Sequence, residues 1–379
     1  MNRFGFFRLT LGLVASILVL VQCTRQEKDI YLKSSSWQKL PGWEKEDFSK
    51  ALSVFQNSCK ALQKKPIWQS TCMAAIAHKS PRLFFEDQFQ PYEMVSKKSP
   101  KGLATGYFIP ILQGSFIASE FYRYPIYSTP PSLIHIDLHD FGLPSRLIRG
   151  RLEKQKVIPY WSRKEIDDNP QLLAGSELLW LADDIDAFVA SIQGSALVRL
   201  SDDSLIRIFY ADNNGHAYRS IGRYLLHQGY LPPGQASLVA IRNWLKQHPD
   251  QKKDILAQNP RYIFFKVSLD TTVKGAMGVP LTPGRSVAVD PRFIPLGTPL
   301  YTQMTATATH PAMKRLVFAQ DVGSAIKGEK RLDVYWGEGE KAEYQASAMK
   351  SPIDHLWIIL PKSWDRHTIL QIIKDGQEN

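Results

Sequence analysis

AQDVGSAIKGEKRLDVYWGEG, residues 319–339, carries two aspartates among four glycines. Leu332, Val334 and Trp336 alternate with Asp333 and Tyr335. That period of two predicts a strand with Asp333 and Tyr335 on one face. Asp321 instead precedes Val-Gly, where its side chain can bond the N–H groups of a turn. The stretch is therefore a glycine-rich turn feeding a strand, and the turn leaves room for a ligand beside Asp333.

Outward from there the same texture continues. YIFFKV, RSVAVD, TPLYTQM, RLVFAQD, LDVYWG and LWIILPK all read as short strands after residue 261. LATGYFIPILQGSF, ASEFYRYPIYS and LIRGRL are similar runs from about residue 103, cut by Gly and Pro. GSALVRLSDDSLIRIFYAD alternates around a turn and predicts a hairpin. DDIDAFVASIQ reads as a short helix with Asp183 or Asp184 as N-cap. SIGRYLLHQGYL reads as a second helix, and SLVAIRNWLKQHPDQKKDILAQNP as a third ending before Pro260. Residues 45–100 read as mostly helical, with SPRLFFEDQF as a break. Helices between two β-rich zones exclude the βα alternation of a parallel sheet. Many short strands with Gly and Pro corners predict an α+β protein, mostly β, with barrel character.

At 379 residues, 44% apolar and 22% charged, the chain is long enough for one large or two ordinary globular domains. The net charge of +11 favours an anionic partner. The basic residues are scattered, without a Lys/Arg-rich run interleaved with aromatics, so no nucleic-acid partner is expected. Arg3 and Arg8 precede LTLGLVASILVLVQ, too short to span a bilayer comfortably, and then comes Cys23. That is the shape of an export signal over 1–22, with Cys23 as a lipidated first residue and 23–45 as a tether. Gln22 stands where a small residue is usual, so ordinary cleavage nearby and an uncleaved anchor stay open. Cys59 and Cys72 lie on apolar faces of adjacent helical segments joined by KKP. In an oxidising compartment they are a disulfide pair or two buried thiols.

GxSxG, HExxH, GxxxxGK[ST] and CxxC are all absent. His135 and His139 are four apart, but Pro130, Pro131 and Pro144 flank them, and no metal site or cofactor is expected. Carboxylates beside glycines and aromatics suit sugars: aromatic faces stack on pyranose rings, and a carboxylic acid protonates a departing glycosidic oxygen. ATGYFIP (104–110), IQGSA (192–196) and YADNNGHAYRSIGR (210–223) share that composition with the opening stretch. Each also has a plain structural reading: a strand start, a helix end with Gly194 as C′, and a hairpin turn at DNNG. Asp333 on a strand is the better proton donor, and Asp321 in a turn the better support.

The run DVGSAIKGEKRLDVYWGEGEKAEYQASAMK, followed by LWIILPK, resembles the C-terminal signature of the membrane-bound lytic murein transglycosylase A family. ATGYFIP, IPYWSRKEI, AFVASIQGS, YADNNGHAYRSIGRYL, NPRYIFFK and GVPLTPGRSVAVDPRFIPLGTPLY resemble it in the same order, over roughly residues 100–362. The resemblance implies a double-psi β-barrel catalytic domain from 46–110 plus 256–379, with N-terminal helices. It implies a smaller β-barrel domain inserted at 111–255 and a glycan groove between the two. It also implies cleavage of the β-1,4 bond between N-acetylmuramic acid and N-acetylglucosamine without water, the muramic C6 hydroxyl attacking C1. Asp333 would serve as acid and then base, with Asp321 in support. Thr105, Gly106, Tyr107, Gln193, Gly194, Ser195, Tyr218, Arg219 and Tyr335 would contact the glycan. The implied place is the periplasmic side of the outer membrane, lipid-anchored, with peptidoglycan strands and other cell-wall synthesis or hydrolysis proteins as partners. Ile109 stands where the family more often has a polar residue, and Ser347 where glycine is usual. A water-using muramidase with Asp321 or Glu338 as second carboxylate, and a non-catalytic peptidoglycan-binding lipoprotein, are the alternatives.

Overall fold

The structure, a computed structural model, describes residues 30–96, 101–144, 146–365 and 368, so Cys23 and the leader lie outside the described residues. The stretch from Ile30 is packed on the body instead of serving as a tether. Strand β1 (Ile30–Ser34) pairs antiparallel with β2 (Phe89–Ser96), and Trp43 is buried, its ring 4.5 Å from that of Trp37. The aromatics in an otherwise polar segment are what hold it down.

Between these strands run three helices. The Asp47 side chain caps α1 (Phe48–Leu62), whose face of Ala51, Leu52, Phe55, Cys59 and Leu62 is buried. Pro66 opens α2 (Pro66–Ala77), and Cys59 and Cys72 form a disulfide across the α1–α2 pair. SPRLFFEDQF, expected as a break, instead forms α3 (Pro81–Gln88). Proline at a first helical position starts a helix as readily as it stops one, and Phe84 and Phe85 bury against Phe55.

The chain then enters β3 (Gly102–Ile109), passes Pro110, and continues as β4 (Ile111–Ser115) in a different sheet. That second sheet has six strands: β4, β5 (Tyr124–Tyr127), and later β9 (Glu177–Leu181), β10 (Ser195–Arg199), β11 (Leu205–Asn213) and β12 (Ile263–Ser268), in the order β12-β11-β10-β4-β9-β5. Its edge strands β5 and β12 touch, so it curls on itself. It therefore takes its last strand from beyond residue 255, where the sequence reading ended the insert. A side sheet of β6 (Ile134–Asp137), β7 (Leu147–Glu153) and β8 (Lys156–Pro159) follows β5 in the chain. The β10–β11 hairpin forms as expected. Helix α4 (Arg163–Asp168) carries a capping box from Ser162 and Glu165, and α5 (Asp184–Gln193) is capped by Asp183 and ends on Gly194 at φ 76°.

DNNG is not a hairpin turn. Asn214 is buried and donates to the carbonyls of Trp161 and Pro260, tying the end of β11 to two distant loops. Helix α6 (Ile221–His227) follows, and the single long helix expected next is two, α7 (Leu238–Gln247) and α8 (Pro249–Ala257), because Pro249 cannot continue α7.

The remaining strands complete the first sheet: β13 (Ser286–Val289), β14 (Pro299–Met304), β15 (Met313–Val322), β16 (Arg331–Glu338) and, after α9 (Gly339–Ala348), β17 (Lys350–Pro361). Their order is β1-β2-β17-β14-β15-β13-β16-β3, and β3 also pairs with β17. Six strands, β17-β14-β15-β13-β16-β3, thus close into a barrel with no free edge. Phe55, Phe85, Phe89 and Phe318 pack α1 and α3 on it. Beneath the helices, Glu46 and Arg285 form a buried ion pair at 2.6 Å, and Glu46 also accepts from Leu316 N. Among the described residues no helix is long and apolar enough to cross a membrane.

Candidate active site

β16 lies between β13 and β3, and the parallel β16–β3 register sets Asp333 opposite Thr105 and Tyr335 opposite Tyr107. Alternation puts Arg331 and Asp333 on one face, as the sequence requires. The Thr105 hydroxyl donates to Asp333 Oδ1, and Arg331 Nη2 donates to Thr105 Oγ1 at 2.8 Å. Burial raises the Asp333 carboxyl to about 6, aided by Asp321, while the Thr105 bond and the Arg331 charge pull downward. A carboxyl poised there is partly protonated near neutrality, as a proton donor must be.

Asp321 sits at the end of β15 and does both things its position suggests. Oδ1 accepts from the N–H groups of Val322 and Ala276, each at 2.9 Å, and Oδ2 accepts from the Tyr107 hydroxyl at 2.8 Å. Burial raises its pKa, and these three donors oppose the rise. Ala276 reaches it because Gly275 lets its loop approach β15: a Cβ there would lie 2.5 Å from the Gln320 carbonyl oxygen. Burial also raises the Tyr107 phenol well above its usual range, so Tyr107 stays a donor. Tyr335, its ring 5.4 Å from that of Tyr107, is buried and donates to Glu338 Oε1 at 3.2 Å. It packs with Tyr107, Ile109, Leu197 and Val273 beside the site.

Gly106 faces away from these groups. A Cβ there would come within 2.7 Å of both Ala346 Cα on α9 and Trp336 Cδ1. Ile109 is buried with Leu197, Val273 and Tyr335, which accounts for an apolar residue at that position. Leu197 belongs to β10, so the second sheet meets the site here, two residues beyond Ser195. Gln193 and Gly194 end α5, and Ser195 Oγ donates to the Ile208 carbonyl. Tyr218 is exposed on the segment after β11, and Arg219 N donates to Asn259 Oδ1. His135 pairs with Asp212 rather than with His139, and the described residues hold no cluster of metal-ligating side chains. Arg331 was not singled out from sequence, although its place two residues before Asp333 on one strand is the signal that finds it.

Residues 103–266 match the family model described as the MltA specific insert domain, and residues 285–360 match the one described as the 3D domain. The chain is 34% identical over 249 residues to the membrane-bound lytic murein transglycosylase A of Escherichia coli K12, covering 64% of this chain and 61% of that protein. It is 31% identical over 257 residues to the protein of the same name from Vibrio cholerae, covering 65% and 62%. It thus spans less than two thirds of the curated relatives it matches. Among solved structures, MltA from Neisseria gonorrhoeae is 33% identical with a TM-score of 0.79, over 89% of this chain and 94% of that one. The lytic transglycosylase LtgG of Burkholderia pseudomallei is 36% identical with a TM-score of 0.61, over 88% and 96%. E. coli MltA with bound chitohexaose is 28% identical with a TM-score of 0.66, over 83% and 89%.

Proposed function

The chain belongs to the membrane-bound lytic murein transglycosylase A family, and on that premise we propose that it cleaves the β-1,4 bond between N-acetylmuramic acid and N-acetylglucosamine in peptidoglycan. The observation that carries this is Asp333: a carboxyl on a rigid barrel strand, buried enough to hold a proton to about pH 6. Protonated Asp333 gives its proton to the glycosidic oxygen as the C1–O bond breaks. The muramic C6 hydroxyl attacks C1, and the Asp333 carboxylate takes its proton, leaving a 1,6-anhydro end. An intramolecular nucleophile enjoys effective molarities of ~10⁵ M or more, so no second carboxylate is needed to activate water. Asp321, engaged by three donors, is fixed in place and acts on the charge near Asp333.

In this reading the closed ring is a double-psi barrel with the second barrel inserted after β3. Thr105 and Tyr107 line the cleft with Asp333, and Gln193, Gly194, Ser195, Tyr218 and Arg219 meet the sugar from the second sheet. Gly106 serves by packing on α9. The chitohexaose held by a relative supports a glycan in this cleft. Lipid on Cys23 would tether the enzyme to the periplasmic face of the outer membrane.

The test is mass spectrometry of products from purified sacculi digested with residues 24–379. Muropeptides ending in 1,6-anhydromuramic acid, one water lighter than reducing ends, are expected. Reducing ends would mean a hydrolase, and no cleavage with retained binding would mean a scaffold.

A further inference from the structure

A polar cavity, about 360 Å³, opens between the side sheet and β11. Arg146, Arg149 and Arg261 line it together with Tyr210 and Asn213. Among the described residues, the one carboxylate bonded to these guanidiniums is that of Asp212, and it is already committed. It accepts from Arg149 Nε and from Asn213 N and pairs with His135 Nε2. Asp212 therefore orients Arg149 through Nε and leaves the two Nη groups for another partner. Arg261 gives Nη1 to the His216 carbonyl at 3.3 Å, and the exposed Arg146 side chain makes no hydrogen bond or ion pair among the described residues, only its backbone carbonyl accepting from Leu138 N. Asn213 Nδ2 donates to the Tyr210 hydroxyl at 2.6 Å, which turns the phenolic O–H into a donor for the cavity. Burial lowers the pKa of Arg261; the neighbouring charge of Arg149 works in the same direction, and Tyr210 and Asp212 work against it.

The cavity is joined to the segments assigned above to the glycan. Tyr210 N donates to the Gly194 carbonyl at 2.8 Å, directly between Gln193 and Ser195. The His216 carbonyl held by Arg261 lies two residues before Tyr218. A planar guanidinium offers paired N–H donors that match a carboxylate. A peptidoglycan strand brings carboxylates to this place on the peptide stems carried by its muramic residues. We propose that Arg146, Arg149 and Arg261 bind a carboxylate of the peptide stem beside the glycan. This inference rests on the peptidoglycan reading, but its test needs no cleavage.

The test is titration of the soluble chain, residues 24–379, by calorimetry with three probes: a free stem peptide, the same peptide with its carboxylates amidated, and inorganic phosphate. The acid peptide should bind, and amidation should weaken it at least tenfold. Arg146→Gln should weaken the acid peptide several-fold and Arg149→Lys further, with the amidated peptide unaffected. The Arg146 side chain is exposed and unbonded among the described residues, and Gln keeps the backbone bond to Leu138, so the substitution leaves folding intact. Equal binding of acid and amide, no binding of the peptide, or binding of phosphate alone would overturn the proposal. A chain that binds the acid peptide yet fails to cleave sacculi would sink the enzymatic reading and spare this one.

Discussion

The Tyr107 hydroxyl donates to Asp321 Oδ2 at 2.8 Å, joining β3 to β15 across the two strands, β16 and β13, that lie between them in the barrel. The bond therefore crosses over the strand that carries Asp333. It favours the ionised form of Asp321, and the charge of Asp321 in turn pushes the Asp333 pKa upward. Tyr107→Phe should let Asp321 hold its proton to higher pH and so lower the pKa of Asp333. The basic limb of the kcat–pH profile should move to lower pH. The charge of Asp321 is the smallest of the influences on Asp333, so the shift stays below about one pKa unit and kcat at neutral pH should fall by less than about tenfold. An unmoved limb would detach Asp321 from proton transfer.

Asp333 itself sets the main pH dependence. With its pKa near 6 and the proton required for the first step, kcat/KM should fall tenfold per pH unit well above 6. Thr105 and Arg331 both lower that pKa, so Thr105→Val and Arg331→Met should carry the limb to higher pH. A limb that ignores both substitutions would assign it to another group.

Asp333→Asn should abolish cleavage and retain glycan binding, and it should also change stability in a pH-dependent way. The folded carboxyl has a pKa above its unfolded value, so the native state binds more protons between about 4 and 6 and loses stability as pH rises through that window. Above it the wild type carries the full penalty of a buried charge. The neutral amide escapes this, so the variant should be more stable by about 1–3 kcal/mol at pH 7.5 and nearly equal at pH 3.5. Denaturant melts at the two pH values check it, and a variant less stable at both would mean that the carboxylate is stabilising.

Period-two alternation was enough to find β16 and to place Asp333 and Tyr335 on one strand, because each strand of a barrel shows one face to the core. It could not show that Tyr335 is buried, since that follows from β10 of the second sheet closing over it through Leu197. The same limit hid the network under Asp321: Gln320 Oε1 accepts from Ser286, and Nε2 donates to Ser58 on α1, partners hundreds of residues apart or on another sheet position. Proline was ambiguous in both directions. Pro81 starts a helix where a break was expected, and Pro249 divides one that was expected whole. Local sequence records that a proline interrupts, while packing decides which side of it is helical.

The Glu46–Arg285 pair, both side chains nearly inaccessible, pins the segment before α1 to the barrel. Glu46→Ala should strand the guanidinium and also remove an acceptor from Leu316 N. Breaking a buried pair costs about 3–5 kcal/mol, visible as a lower denaturation midpoint. The double variant Glu46→Leu with Arg285→Met should recover much of it. If the double variant is no better than the single one, the loss lies in the backbone bond to Leu316 instead.

Gly106 tests whether spacing on the far side of β3 positions the chemistry on the near side. A methyl at this position meets the Ala346 backbone and the Trp336 ring at 2.7 Å, so α9 or β3 must give way. Overpacking of this kind costs about 1–3 kcal/mol. Because Thr105 and Tyr107 flank it and reach Asp333 and Asp321 directly, a shift of β3 disturbs both bonds at once. Gly106→Ala should therefore lower kcat more than its stability loss explains, with KM little changed. Thermal melts and steady-state kinetics on the same preparation separate the two effects. A variant with a lowered melting temperature but unchanged kcat would show that α9 moves alone and that β3 holds the acid in place.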